Sequence, residues 1–454
     1  MSTSVPRVNA WIYLLEDDPA NTSYKTPGSS YQNAVEHGVY AYTDMLGICW
    51  VNPILTSDTT VPKGDGKTYT VQLESGSHPH PGGFSNQQYM GWLMEDARKA
   101  NPNIKLVVTL GYAHDEITQI FKGDKSQWPQ QATAFANNLV AYLEHYGLDG
   151  FDVDWEGEFA YETTADQFRL LFTAIRAAFT KSGKQYYLTL SPADVGNLDG
   201  QTVNDAFDFV NLQLYSGYTC AQGFLDKGVH AGKLAYGAKF EAVSADGPPY
   251  QTAQQAVAFY APNCNDSQSY GIFTNWRLNS GNFQYEQAQQ MILYQLVHGI
   301  PGTTFDDTNI VGAAGNPPIS QLVVCAGDVL DSIQATNTGS FQTNAVTYTL
   351  LQHGGNGGGV NTVNVAEGDA IVEASGYTGV WFGWNCVLQI TLTTRNGAVF
   401  GPFGTMAYAS SRTPFTYTAP QGQSIVAFSG STVNVPLAGG GNTNIFASLN
   451  VSYG

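Results

Sequence analysis

The sequence predicts a (β/α)8 barrel followed by an all-β domain. Up to residue 300, short apolar runs alternate with segments of helical periodicity. Beyond residue 318 the helical pattern stops, and short strand-like runs rich in glycine and threonine take over. A third observation fixes the middle of the barrel. Residues Phe151 to Glu156 alternate strictly, with Phe151, Val153 and Trp155 on one parity and Asp152, Asp154 and Glu156 on the other. Period two is the signature of a strand.

The apolar runs, in order, are Asn9–Leu15, Met45–Val51, Lys105–Leu110, Gly150–Trp155, Tyr187–Leu190, Phe209–Tyr215, Leu234–Ala238 and Gly271–Trp276. Between them, Phe135, Leu139, Tyr142, Leu143 and Tyr146 share one helical face. Phe168, Leu171, Phe172, Ile175 and Phe179 share another, opened by the capping box Thr164-x-x-Gln167. Eight strands with intervening helices over this length match a (β/α)8 barrel, whose catalytic groups project from the C-terminal ends of its strands. Residues 1–300 are expected to form the barrel, the Pro/Gly-rich stretch 301–318 a linker, and 319–454 an all-β domain. Its strands are expected at Ala370–Ser375, Val387–Thr393, Ser424–Phe428 and Ile445–Val451. The run Gly354–Gly359 reads as a flexible turn, lacking the lysine and helix of a phosphate loop.

The acidic strand carries the functional signal. At a rise of about 3.3 Å per residue, its three carboxylates lie on one face roughly 6.5 Å apart. A solvated edge strand would account for them, but Phe151 and Trp155 leave the opposite side well covered. Burying unpaired charge costs several kcal/mol, so acids inside a fold point to a proton-handling site.

Composition narrows the chemistry. The 37 acids against 19 bases give a formal charge of −18, which argues against nucleic acid as a partner, since phosphate contacts need Lys and Arg. Neutral polymers such as sugars fit, and the 26 tyrosines and 8 tryptophans suit sugar stacking as well as core packing. Five cysteines, Cys49, Cys220, Cys264, Cys325 and Cys386, make no metal-type pair. Cys220 and Cys264 lie in polar, loop-like stretches and could pair; the odd count leaves a thiol over. No run reaches the roughly 20 apolar residues of a membrane helix. The start, Met1 to Arg7, has no apolar signal-peptide core, so a removed signal, another export route and residence inside the cell all stay open.

Asp149-Gly-Phe-Asp-Val-Asp-Trp-Glu156 resembles the fourth-strand motif D-G-x-D-x-D-x-E of glycoside hydrolase family 18, the chitinases and endo-β-N-acetylglucosaminidases, with all five fixed positions matched. Gln213-Leu-Tyr215 resembles the Gln-x-Tyr of the plant-type chitinase branch, and Trp276 closes the eighth strand where the family sets a tryptophan under the sugar. The third strand departs, ending Thr109-Leu-Gly-Tyr-Ala113 and not Ser-x-Gly-Gly. The later region resembles a jacalin-like lectin, a three-sheeted β-prism. The residues that carry this are Gly327–Gln334, Gly354-Gly355, Arg395–Gly404 and Ser424–Gly430. Its sugar loop usually reads Gly-x-x-x-Asp; here Gly430-Ser-Thr-Val-Asn434 has Asn in the acidic place.

The resemblance implies a TIM barrel with Glu156 as general acid and base and Asp154 holding the substrate acetamido group. Asp152 would share a proton with Asp154, and Tyr215 would hydrogen-bond the acetamido oxygen. Trp276, Gln213 and Asp149 are the substrate-binding candidates, although Asp149 begins the strand, where it would cap a turn with Gly150. Trp11, Tyr13, Trp50 and Tyr112 lie near strand ends as subsite or packing residues, and His114 and Asp115 read as loop surface. Neither a metal nor a cofactor is expected, since no histidine spacing suits a metal. The implied activity is endo-acting, retaining hydrolysis of β-1,4-linked N-acetylglucosamine, as by a chitinase. An endo-β-N-acetylglucosaminidase cutting the chitobiose core of N-glycans shares the motif. A non-catalytic glycan-binding or toxin-like protein would typically have lost the acid. Expected partners are chitin or GlcNAc-containing glycans, with a cell-surface glycan on the lectin domain; the expected place of action is extracellular.

Overall fold

The computed structural model describes residues 5–14, 24–75, 80–112, 117–217, 219–243, 247–261, 264, 268–300, 302–341, 343–437 and 440–454. They fall into two compact units: Met1–Glu241 with Tyr250–Glu286, and Ala242–Pro249 with Gln287–Gly454. His114 and Asp115 lie outside the described residues.

In the first unit, β1 (Val8–Tyr13), β2 (Met45–Leu55), β3 (Tyr69–Leu73), β4 (Lys105–Leu110), β5 (Gly150–Trp155), β6 (Tyr187–Pro192), β7 (Phe209–Leu212), β8 (Leu234–Lys239) and β9 (Phe273–Trp276) form one sheet. Apart from β3, which pairs antiparallel with β2, neighbouring strands run parallel, and β9 closes on β1. Each of the eight apolar runs is therefore a barrel strand. The hairpin partner β3 is an addition that the alternation of strand and helix did not predict.

β5 is buried on both sides. Its outward residues Phe151, Val153 and Trp155 have no solvent exposure, so the strand is not an edge. Trp155 meets Phe159 and Phe168 at ring centroid distances of 5.3 and 5.1 Å, on the helices Gly157–Glu162 and Ala165–Ser182. The second helix begins at Thr164 with the expected capping box. Its aromatic face continues inward through Phe168–Phe172 and Phe172–Phe207 contacts of 4.6 and 4.8 Å. At the N-terminal end of the barrel, Met45, Val107, Tyr187, Phe209 and Ala235 pack as an apolar plug. The polar ladder above it therefore opens only towards the C-terminal ends of the strands.

The second unit holds three antiparallel sheets, the arrangement of a β-prism. One joins Thr304–Asp306, Ile425–Pro436 and Asn442–Tyr453. The second is built around Ile319–Ala326 and Leu330–Phe341, and the third around Ile371–Trp381 and Trp384–Thr394. Two expectations need correction. Residues 301–318, read as a linker, carry the strand Thr304–Asp306 and the helix Thr308–Ala313, because the strand finds its partner far along the chain at Ser429–Ser431. The contact boundary falls earlier, between Glu286 and Gln287, inside the helix Phe283–His298. The glycine run 354–359 is also not a free turn. The Gly355 N–H donates to the Asn444 carbonyl at 2.9 Å, and a Cβ on Gly357 would fall 2.3 Å from Asp331 Oδ1.

Gly150 faces Tyr187 in the β5–β6 register, and a Cβ there would lie 2.3 Å from the Tyr187 carbonyl oxygen. Backbone cannot give way as a side-chain tip can, so this position of the acidic motif is a glycine for steric reasons. Gly150→Ala should lower stability by about 3 kcal/mol, the upper range for overpacking a close-packed interior. Thermal or urea unfolding of the two proteins checks it, and a loss below about 0.5 kcal/mol would remove the steric reading.

Candidate active site

The inner face of β5 meets polar residues from both neighbouring strands. Asp152 lies in register with Thr109 on β4 and Thr189 on β6, and Asp154 with Ser191. Asp152 is 1% exposed and accepts from the Thr189 hydroxyl at 2.5 Å. The Ser191 hydroxyl lies 2.9 and 3.0 Å from its two oxygens, and the Trp11 indole N–H donates at 3.3 Å. Burial pushes the Asp152 carboxyl above its usual range, while these donors pull it back.

Asp154, 3% exposed, accepts from Gln213 Nε2 at 2.7 Å, and the same amide donates to the Ser191 carbonyl at 2.9 Å. Its carboxyl is raised well above the ordinary range, first by burial and then by the charge and hydrogen bond of Glu156 and the charge of Asp152. Glu156 follows the end of β5 in extended conformation and reaches partly into solvent. It too is raised, chiefly by burial; the hydrogen bond with Asp154 lowers it and the charge of Asp194 raises it. Asp152 is occupied by hydroxyl and indole donors and acts on Asp154 through charge, while the hydrogen bond runs between Asp154 and Glu156.

A cavity of about 150 Å³ opens above this pair, lined by Asp154, Glu156, Ser191, Gln213, Tyr215, Thr109, Tyr112, Trp11, Trp50 and Trp276. Tyr215 follows β7, and its hydroxyl is held well above its ordinary value by burial, then by the charges of Asp154, Glu156 and Glu241. Trp276 ends β9, with Trp11 and Trp50 at 5.6 and 5.7 Å, so three indoles form one wall. Tyr13 stands behind that wall, 6.0 Å from Trp50. Asp149 belongs elsewhere. It precedes β5 at the N-terminal end of the barrel, accepts from the Leu106 N–H at 2.9 Å and pairs with Arg98 at 3.5 Å. Its place among the binding candidates is therefore corrected to a strand-start staple, since the cavity lies at the opposite ends of the strands.

Several residues around the site escaped the sequence reading. Thr189 and Ser191 carried a legible signal, because Leu188 and Leu190 alternate with them as on β5. Asp194 accepts from the Gly157 N–H at 2.8 Å, directly after Glu156. Glu241 joins Lys239 at 2.6 Å to Arg277 at 3.0 Å. The Lys239 and Arg277 cations lie 5.6 Å from the Tyr215 ring and 5.7 Å from the Trp276 ring. Glu286 is fully buried and accepts from the Ser280 N–H at 3.0 Å and from its hydroxyl, fixing the segment after Trp276; burial raises its carboxyl to about 8. Among the described residues, no group of three or more His, Cys, Asp or Glu is arranged to hold a metal ion, and no helix is long and apolar enough to cross a membrane. Cys220 and Cys264 form a disulfide, whereas Cys49, Cys325 and Cys386 are buried thiols.

In the second unit, a cavity of about 600 Å³ is edged by Gly327, Asp328, Asp331, Gly355, Gly357, Trp381, Asn434 and Asn442 to Ile445, with neighbours. Asn434 uses its amide on Asn444 at 2.8 Å. Carboxylates still reach this cavity through Asp328 and Asp331, the latter raised by burial to about 6.

The chain resembles an endochitinase of Brugia malayi (29% identity over 26% of this chain and 24% of that one). It also resembles chitinase A1 of Niallia circulans (24%, over 47% of this chain and 38% of that one) and chitinase 1 of Aphanocladium album (25%, over 34% and 45%). The chain thus spans less than half the length of each of these relatives. Solved structures similar to it include a mannose-binding lectin from Champedak (18% identity, 34% of this chain, 91% of that chain, TM-score 0.26). A Malaysian banana lectin is another (24%, 34% and 94%, TM-score 0.23). Residues 294–435 match the jacalin-like lectin domain. Residues 15–347 match glycosyl hydrolases family 18, and with well over half its length so matched, the chain belongs to that family.

Proposed function

We propose that the barrel is an endo-acting, retaining hydrolase of β-1,4-linked N-acetylglucosamine, a chitinase, using the substrate's own acetamido group as nucleophile. The observation that carries this reading is the hydrogen-bonded Asp154–Glu156 pair at the floor of an indole-walled cavity, with Asp152 buried beneath it among hydroxyl and indole donors. In the first step Glu156 gives its proton to the glycosidic oxygen as the acetamido oxygen attacks the anomeric carbon and the C–O bond to the leaving sugar breaks. Asp154 accepts the acetamido N–H and steadies the positive charge of the cyclic intermediate. Tyr215 donates its hydroxyl to the acetamido oxygen, and Gln213 keeps Asp154 in line. Water then attacks the anomeric carbon, Glu156 takes its proton, and the acetamido group is released.

Burial suits Glu156 to this task, because a raised carboxyl still holds its proton where an ordinary glutamate has lost it. The three indoles, Trp276 among them, offer flat apolar faces to the sugar. All residues lining the cavity belong to the barrel unit, which supports assigning hydrolysis to that unit and glycan contact, by a separate cavity, to the second unit. The Cys220–Cys264 disulfide supports an extracellular place of action. Parallel incubation with chitin oligomers and a high-mannose glycoprotein, followed by product identification, tests the substrate. Release of the glycan alone would replace the chitinase with an endo-β-N-acetylglucosaminidase.

Glu156→Gln should lower kcat on chitin oligomers by on the order of 10²-fold or more while oligomer binding persists, because the amide cannot donate the proton. Activity within a fewfold of the parent would take Glu156 out of the mechanism. Proton NMR of fresh product should display the β anomer first, since two displacements at one carbon restore its configuration; α product first would sink the scheme. Asp194→Asn should move the alkaline limb of the kcat–pH profile to lower pH. Its charge holds the Glu156 proton on, so removing it lets Glu156 ionise earlier. A limb that stays put or moves up would show that Asp194 does not act on the acid.

A further inference from the structure

Two aromatic side chains of the second unit are exposed where their own backbone resists them. Phe382 and Gly383 form the two-residue turn between Ile371–Trp381 and Trp384–Thr394, with φ of 45° and 87°. Positive φ at both positions is the turn that favours Asn-Gly, and a phenylalanine in the first place is strained. Tyr408 lies in the neighbouring loop at φ 61°, two residues after Met406 at φ 57°. Phe382 and Tyr408 stack at 5.3 Å and 28°, yet they are 63% and 73% exposed. Trp384 beside them is 37% exposed.

Core packing does not explain these rings. Trp381 and Met406 turn inward against Val329, Cys386, Leu388, Val435 and Ile445, anchoring both loops and leaving Phe382 and Tyr408 outside. The second loop is also fixed from below: the Thr405 and Met406 N–H groups donate to the Gly327 and Asp328 carbonyls, each at 2.9 Å. Strain retained in a tightly held loop, with large apolar area left in water, marks a binding surface.

We propose that Phe382 and Tyr408 form a stacking platform that holds the protein on a neutral, β-1,4-linked polysaccharide surface. Such chains are flat ribbons with C–H faces and hydroxyl edges. The platform matches the faces, and the adjoining cavity, reached through Trp381 and edged by Asp328, Asp331 and Asn444, matches the edges. Charge excludes the competing partners. From Ala370 to Pro420 the chain carries one acid, Glu373, and two bases, Arg395 and Arg412, too few to hold a polyanion or an anionic membrane.

The test uses the full chain carrying Glu156→Gln, so that polymer is held and not consumed, with crystalline chitin and microcrystalline cellulose as probes. Choosing chitin rests on the hydrolase reading; retention does not, because it is measured without turnover. Phe382→Asn with Tyr408→Gly removes both rings and relieves both backbones. Retention on the polymer should weaken about tenfold, from the loss of two stacking contacts, with Tm equal to or above that of the parent. Tyr408→Phe, which keeps the ring, should bind as the parent does. Unchanged retention in the double variant would overturn the proposal, as would a lower Tm, which would remove the strain it rests on. Binding to phosphatidylcholine vesicles lost on the same substitutions, without polymer retention, would assign the platform to a membrane. A dimer in sedimentation that dissociates in the double variant would assign it to a second copy of the chain.

Discussion

Three carboxyl groups on one face of a buried strand are the constraint on which the barrel is built. Asp152 and Asp154 are almost wholly shielded from water, and charge so placed is costly without partners. The barrel answers in layers. Deepest, Asp152 receives two hydroxyls and an indole N–H, which pull its carboxyl back against the upward push of burial. Above it, Asp154 has an amide on one side and another acid on the other, so one proton between Asp154 and Glu156 relieves the repulsion. The gradient runs from a carboxyl satisfied by donors at depth to a hydrogen-bonded pair of carboxyls at the cavity, each raised by burial.

The opposite face of β5 makes that gradient affordable. Phe151, Val153 and Trp155 are sealed from solvent, and Trp155 packs against Phe168 of the helix Ala165–Ser182, whose aromatic face is as regular as the strand's own alternation. Each inward acid is flanked by outward apolar residues, so the carboxyls cannot reach water by shifting register. A one-residue slip would bury Phe151 and Trp155 among hydroxyls and send the acids into the helices. The motif therefore specifies its own geometry, with Gly150 fitting against the Tyr187 carbonyl at its base.

What could be read from the sequence is what local periodicity encodes. The eight barrel strands, the capping box at Thr164 and the face bearing Asp152 and Asp154 follow from alternation and spacing within a few residues. Long-range pairing was not legible. Thr304–Asp306 looks like linker until Ser429–Ser431 is laid beside it, and Glu286 is an ordinary helix residue until Ser280 folds back on it. Asp149 shows the opposite failure. As a fixed position of the acidic motif it suggested sugar contact, but sequence adjacency says nothing about which end of a barrel a residue occupies. Phe382 gave no turn signal of its own, because left-handed backbone is announced by Asn or Gly and only Gly383 met that rule.

The two units spend conformational energy in different ways. The barrel stores its cost as electrostatics, in acids kept from water so that a proton stays within reach of the cavity. The lectin-like unit stores its cost in backbone, at Phe382 and Tyr408, whose left-handed φ values accompany apolar rings left exposed. A carboxyl needs a buried, fixed environment to keep a raised proton affinity, so its site is sunk inside a closed sheet. A stacking ring needs only a rigid base and an open face, so it can sit on a turn, provided that the turn is pinned. Trp381 and Met406 provide the pinning here, with hydrogen bonds to Gly327 and Asp328. Catalytic depth and surface contact thus make opposite demands on burial, and each unit satisfies one of them.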